Sequence, residues 1–207
     1  MPWVASPIRS KSSYMLRSPP PSSPREFATP LVFLSAKAWD HDSSASMRSY
    51  AAMFSERGYT TMEIDLGLPE PQVKSSEELM HHFELELASH IRLAAIPFAP
   101  VLFARRGGAL IAQTYISSNP ASGMVLISPP VSNDAPEARA WLPTPLQEFD
   151  YEPRFPLLII DSDVEHHAKE NRLVRDDGVE TLYMTAAELG GMSAWMKIEK
   201  WMDSVGI

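Results

Sequence analysis

The stretch Pro100-Val101-Leu102-Phe103-Ala104-Arg105-Arg106-Gly107-Gly108-Ala109-Leu110-Ile111-Ala112 carries the decisive signal of this chain. Pro100 to Phe103 is a short apolar run and reads as a buried strand. Gly107 to Ser118 is rich in Ala, Leu and Ile, is apolar almost all round, and reads as a helix sunk in a core. Two arginines and two glycines join them. The glycines permit close approach of helix and sheet. They do not make a phosphate loop, since G-x-x-x-x-G-K is absent.

Outward from this junction, strands and helices alternate. Leu31 to Leu34 follows Pro30 as a strand. Ser43 to Gly58 reads as one helix, with Met47, Tyr50, Ala51 and Phe54 on its apolar face and Gly58 as its stop. Thr60 to Ile64 is the next strand. Ser75-Ser76-Glu77-Glu78 offers a capping box for a helix to about Ala95, with Leu79, Phe83, Leu87 and Ile91 on one side. Gly123 to Ile127 and Pro156 to Ile160 read as strands, with an irregular, proline-bearing loop over 131–155 between them. Glu165 to Val174 reads as helical, Val179 to Met184 as the last strand and Ser193 to Val205 as the closing helix. Trp195, Trp201, Met192, Met196 and Met202 read as that helix's packing face. This order predicts an α/β protein: a mostly parallel sheet with helices on both faces, in three layers, and ligand chemistry at the carboxyl ends of the strands.

The junction at 100–112 resembles the nucleophile elbow of α/β-hydrolases, where a strand turns through G-x-S-x-G into a buried helix. Leu31-Val32-Phe33-Leu34-Ser35-Ala36 is similar to that family's early strand and oxyanion loop, which makes Ser35 and Ala36 the oxyanion-loop equivalents. Phe54 to Tyr59 with Ile64-Asp65-Leu66, Met124 to Pro130 and Phe155 to Ile160 resemble further pieces in the same order. The resemblance spans residues 28–207 and implies a compact fold in which the substrate cap is reduced to the loop 131–155.

The departures bear on chemistry. In the ungapped alignment Arg105 takes the serine's place, Arg106 follows it, and only Gly107 and Gly108 survive. The family's histidine belongs near Ala187 or Glu188, yet the six histidines are His41, His81, His82, His90, His166 and His167. The acid position falls near Asp163 or Glu165. Arginine stays protonated and only donates, so it serves as neither nucleophile nor base. A hydroxyl nucleophile needs a base within hydrogen-bond reach. The resemblance therefore implies a non-catalytic protein acting in binding or assembly with a protein partner, with no catalytic residue. The alternative is a divergent serine-type esterase or thioesterase using displaced residues.

Arg105 and Arg106 admit two readings. One is a site for a small anionic ligand, built with the N–H groups at the helix start. The other, favoured here, is an internal ion pair in which Arg105 reaches Asp163 or Glu165. Trp39-Asp40-His41-Asp42 reads as a loop capping the next helix. His166 and His167 are adjacent, which suits a solvated helix start better than a metal site. No metal and no cofactor is expected.

The composition sets outer limits. The chain has 207 residues and no cysteine, which excludes disulfides and thiolate chemistry. Residues 1–25 hold Arg9, Lys11, Arg17 and Arg25 and no acid, leaving 14 basic and 26 acidic residues in the remainder. An acidic body argues against a nucleic-acid partner, and no apolar run reaches the length of a membrane span. Residues 1–27 contain six prolines and seven serines. They read as a disordered basic segment preceding the domain 28–207 and as a transit peptide for mitochondrial import, the alternative being a cytoplasmic tail.

Overall fold

The computed structural model describes residues 12–95, 97–163, 169–176 and 178–207. Seven strands form one sheet: β1 (Ser13–Arg17), β2 (Phe27–Ser35), β3 (Tyr59–Asp65), β4 (Val101–Arg105), β5 (Gly123–Ile127), β6 (Leu157–Asp161) and β7 (Val179–Tyr183). Their order is β1-β3-β2-β4-β5-β6-β7. All neighbours are parallel except β1, which runs antiparallel to β3 with Ser13 opposite Asp65 and Arg17 opposite Thr61.

Helices cover both faces. On one face α1 (Met47–Arg57) and α5 (Met192–Val205) bury Tyr50, Phe54, Trp195 and Trp201 against Phe33, Phe103 and Ile160. On the other, α2 (Ser76–Leu93) and α3 (Gly107–Ile116) bury Phe83, Leu87 and Leu110 against Leu34, Leu102 and Leu126. The central strands are apolar on both sides because both are covered. The short helix α4 (Pro136–Trp141) lies in the connection between β5 and β6. The α/β sandwich expected from the sequence is the fold found.

Several local readings change. Residues 1–27 were expected to lack structure, yet Ser13–Arg17 is β1, Arg17 Nε bonds Glu63 at 2.8 Å, and Phe27 stacks on Tyr59 at 3.9 Å between ring centroids. A short strand needs little apolar area of its own when an existing edge supplies the ladder. Residues 1–11, with the rest of the transit-peptide reading, lie outside the described residues. The helix expected over Ser43–Gly58 is split: His41–Ser44 forms a 3-10 turn, and Ser46, at φ 69°, precedes α1. The Ser43 hydroxyl holds that turn by accepting from Ala36 N at 3.0 Å and donating to Asp40 O at 2.6 Å. Met192 and Met196 are each 56% exposed, so the packing stripe of α5 is Ala194, Trp195, Ile198, Trp201 and Met202. Those positions recur at helical spacing, whereas 192 and 196 fall beside the stripe. The loop 131–155 contains α4.

Connections leave the adjacent strands β2 and β4 toward opposite faces: β2 leads to α1 and β4 to α3. Their carboxyl ends therefore frame a crevice, the place where doubly wound sheets hold ligands.

Candidate functional site

Two segments meet in that crevice. One is the bend Arg105-Arg106-Gly107 after β4; the other is the loop Ala36 to Asp42 after β2. At the bend Arg106 has φ 50° and ψ −122°, a conformation that strains any residue with a Cβ. The strained position is thus Arg106, one residue beyond the alignment that placed it at Arg105. Arg105 is still in the ladder, opposite Ile127. With Arg106 at the corner, Ala104 and Gly108 occupy the two flanking small positions. A Cβ on Gly108 would stand 3.6 Å from Leu34 O and 3.9 Å from Ala104 Cβ.

The peptide N–H of Gly107, the residue after the corner, donates to Asp40 Oδ2 at 2.9 Å. Asp40 is 5% exposed, and its Oδ1 also accepts from Asp42 N at 3.2 Å. Arg106 Nε lies 3.7 Å from Asp40 Oδ1 and 3.9 Å from Asp42 Oδ2, and its guanidinium sits 5.2 Å from the Trp141 ring centroid. The arginine's Nε has no hydrogen-bond partner and its side chain is 37% exposed, so this is a loose ion pair supported by the ring face. Trp39 closes the arrangement. Its Nε1 donates to Trp141 O at 2.8 Å, and its ring atom Cζ3 is 3.1 Å from where a Cβ on Gly107 would stand. The two tryptophans occupy the space over the bend.

Arg105 forms no ion pair with Asp163, one of its two expected partners, the other being Glu165. By strand alternation it points to the α1 face of the sheet, away from the crevice. Its Nε is buried without a hydrogen-bond partner, and among the described residues it forms no ion pair. Burial raises the Tyr50 phenol to about 12, and the nearby Arg105 charge partly opposes that rise. Glu165, like His166 and His167, lies outside the described residues. Asp163 donates its N–H to Asp161 Oδ1 at 2.8 Å, in a turn that also takes Ser162 N. The buried carboxylate at the end of β6 is therefore Asp161, 7% exposed.

The other predicted positions are spent on structure. The Ser35 hydroxyl bonds Ile64 O and Asp65 Oδ1, and Ala36 N bonds Ser43 Oγ. After β7, where a histidine was sought, Thr185 N and Oγ1 donate to Glu188 Oε2, and these bonds hold the Glu188 carboxyl below its ordinary range. Among the described residues no group of three or more His, Asp or Glu is placed to hold a metal ion, and no helix is long and apolar enough to cross a membrane. Sequence reasoning missed Asp40 as the partner of the bend, together with Trp141. The signal available was an acid in the loop aligned with oxyanion contacts; its reach across 67 positions to Gly107 was not in the pattern.

No family model and no curated protein matches the chain. Solved structures do. Esterase 2 of the planctomycete Thermogutta terrifontis with butyrate bound superposes with a TM-score of 0.65 at 14% identity, covering 94% of this chain and 90% of that one. Its apo form gives 0.63 at 15% over the same shares. MenH from S. aureus gives 0.59 at 13%, over 94% of this chain and 99% of its own. With a seven-stranded sheet of this order, an elbow-like corner at Arg106 and these likenesses, the chain has the α/β-hydrolase fold.

Proposed function

We propose that this chain is a non-catalytic α/β-hydrolase-like protein acting in binding or assembly. The reading is carried by one observation: the N–H after the corner, which in hydrolases of this fold faces the developing oxyanion, is taken by the Asp40 carboxylate. An oxyanion there would meet a fixed negative charge in a half-buried setting, which is repulsive instead of stabilising. The corner side chain is a guanidinium, which cannot attack a carbonyl. The intramolecular Asp40–Arg106 contact accounts for these charges without an external anion. Steady hydrolysis of p-nitrophenyl acetate and butyrate tests the reading. We expect no turnover above the uncatalysed rate, and turnover that a single Ser or His substitution abolishes would sink it.

The second reading, an ester or thioester hydrolase with displaced residues, is favoured by the esterases among the structural likenesses. It requires a base. His41 is the histidine nearest the crevice in sequence, and its side chain is 92% exposed beside Asp42. An exposed imidazole lacks the positioning a general base needs.

We also propose that the basic segment 1–27 directs mitochondrial import. A fluorescent protein carrying residues 1–27 tests this: organelle accumulation supports it, and diffuse cytoplasmic signal contradicts it.

A further inference from the structure

The sheet ends in two edge strands that are guarded differently. β7 carries Glu180, exposed, in the middle of the edge. A charge there must be desolvated by any strand that pairs with it. Among the described residues β1 has no such guard. Tyr14, Met15 and Leu16 are 50%, 43% and 44% exposed. Its one charge, Arg17, is held by Glu63 on the neighbouring strand at 2.7 Å. No proline interrupts Ser13–Arg17, and its register with β3 runs without a bulge. Lysines, prolines and bulges are the usual means of keeping edges unpaired, and β1 lacks all three.

We propose that β1 is a self-association edge, on which a second copy of this chain lays its own β1 antiparallel across a two-fold axis at Met15. A two-fold axis normal to the sheet relates identical strands antiparallel, and closure with one self-complementary patch is the commonest form of dimer. In this register Met15 faces Met15, and Tyr14 and Leu16 face each other twice. Tyr14 and Leu16 meet on one face of the joined sheet, and the two Met15 side chains meet on the other. Ser13 stands opposite Arg17, so no like charges meet. A groove of about 480 Å³ runs beside the strand, lined by Met15, Phe33 and Met47 together with the charged Lys37, Arg48 and Glu63. The contact joins two seven-stranded sheets into one. It is independent of the crevice at Arg106.

The chain has no native cysteine, so one introduced thiol reports intermolecular pairing alone. Opposed residues in antiparallel strands have Cα atoms about 4.5–5.5 Å apart, within the range a disulfide spans. Sedimentation of the full chain over rising concentration is expected to show the mass doubling, with Met15→Lys remaining at monomer mass and keeping its far-UV circular dichroism. Under mild oxidation Met15→Cys is expected to give a covalent dimer, and Glu180→Cys on β7 is not. A wild-type chain that stays monomeric at every concentration overturns the proposal. So does a dimer that survives Met15→Lys unchanged, or cross-linking of Glu180→Cys as efficient as that of Met15→Cys.

Discussion

The Asp40 carboxylate accepts the N–H of Gly107 at 2.9 Å, linking the loop after β2 to the start of α3 across the carboxyl edge of the sheet. The bond caps a helix whose corner residue provides no side-chain cap of its own. A charge-assisted bond to a buried N–H is worth more than a neutral one, and breaking it leaves the donor unsatisfied. Asp40→Ala is expected to cost roughly 2 kcal/mol, a fall of about 4–8 °C in Tm for a domain of this size. Asp40→Asn keeps an acceptor and is expected to fall between. Thermal melts decide; an Ala variant as stable as wild type would show that the link contributes nothing.

Arg106 at φ 50° holds strain that every side chain with a Cβ shares. Replacing it by Ala removes the Asp40 contact and the Trp141 ring contact but keeps the strain. Replacing it by Gly removes the same contacts and the strain too. Arg106→Gly is therefore expected to be more stable than Arg106→Ala, by about 1–3 kcal/mol. Chemical denaturation of the pair measures the difference. Equal midpoints would mean that the corner has relaxed in solution.

Burial raises the phenols of Tyr50, Tyr59, Tyr115 and Tyr151, the first two from 10.0 to about 12. The unfolded chain loses the Tyr50 and Tyr59 protons near pH 10 and the folded chain near 12. Between those values the folded state holds more protons, so stability falls as pH rises through that window and is level, for these groups, below it. The fall is up to roughly 2 kcal/mol per phenol. Melting curves across the window should show this slope in wild type and a shallower one in a Tyr50→Phe, Tyr59→Phe double variant. Identical slopes would assign the effect to other groups.

β1 moves the start of the folded unit ahead of Phe27. A chain beginning at Ser12 keeps β1 and serves as the reference. One beginning at Ala28 loses β1, the Arg17–Glu63 pair and the Phe27 ring on Tyr59, and leaves β3 as a bare edge. It is expected to melt at least about 10 °C lower. If both truncations melt alike, β1 contributes nothing to the fold.

What could be read from the sequence follows from range. Gly123–Ile127 was found at its predicted bounds, and α2 at its capping box, because apolar period and caps are local signals. The bend was legible as a motif, but its corner was placed one residue early: pattern alone does not say which residue leaves the ladder, and the paired Arg105 does not. β1 was hidden because its support is the distant edge of β3, not its own composition. The Asp40–Gly107 bond was hidden for the same reason, since both partners have sufficient local explanations as a turn cap and a packing glycine.

On the non-catalytic reading proposed above, no acyl group is accepted at this corner. The most direct measurement is pre-steady-state release of p-nitrophenol from p-nitrophenyl butyrate, with intact-mass analysis of the same sample. No burst and an unchanged protein mass are expected. A burst stoichiometric with protein, with a butyryl group on any side chain of this chain, would contradict that reading.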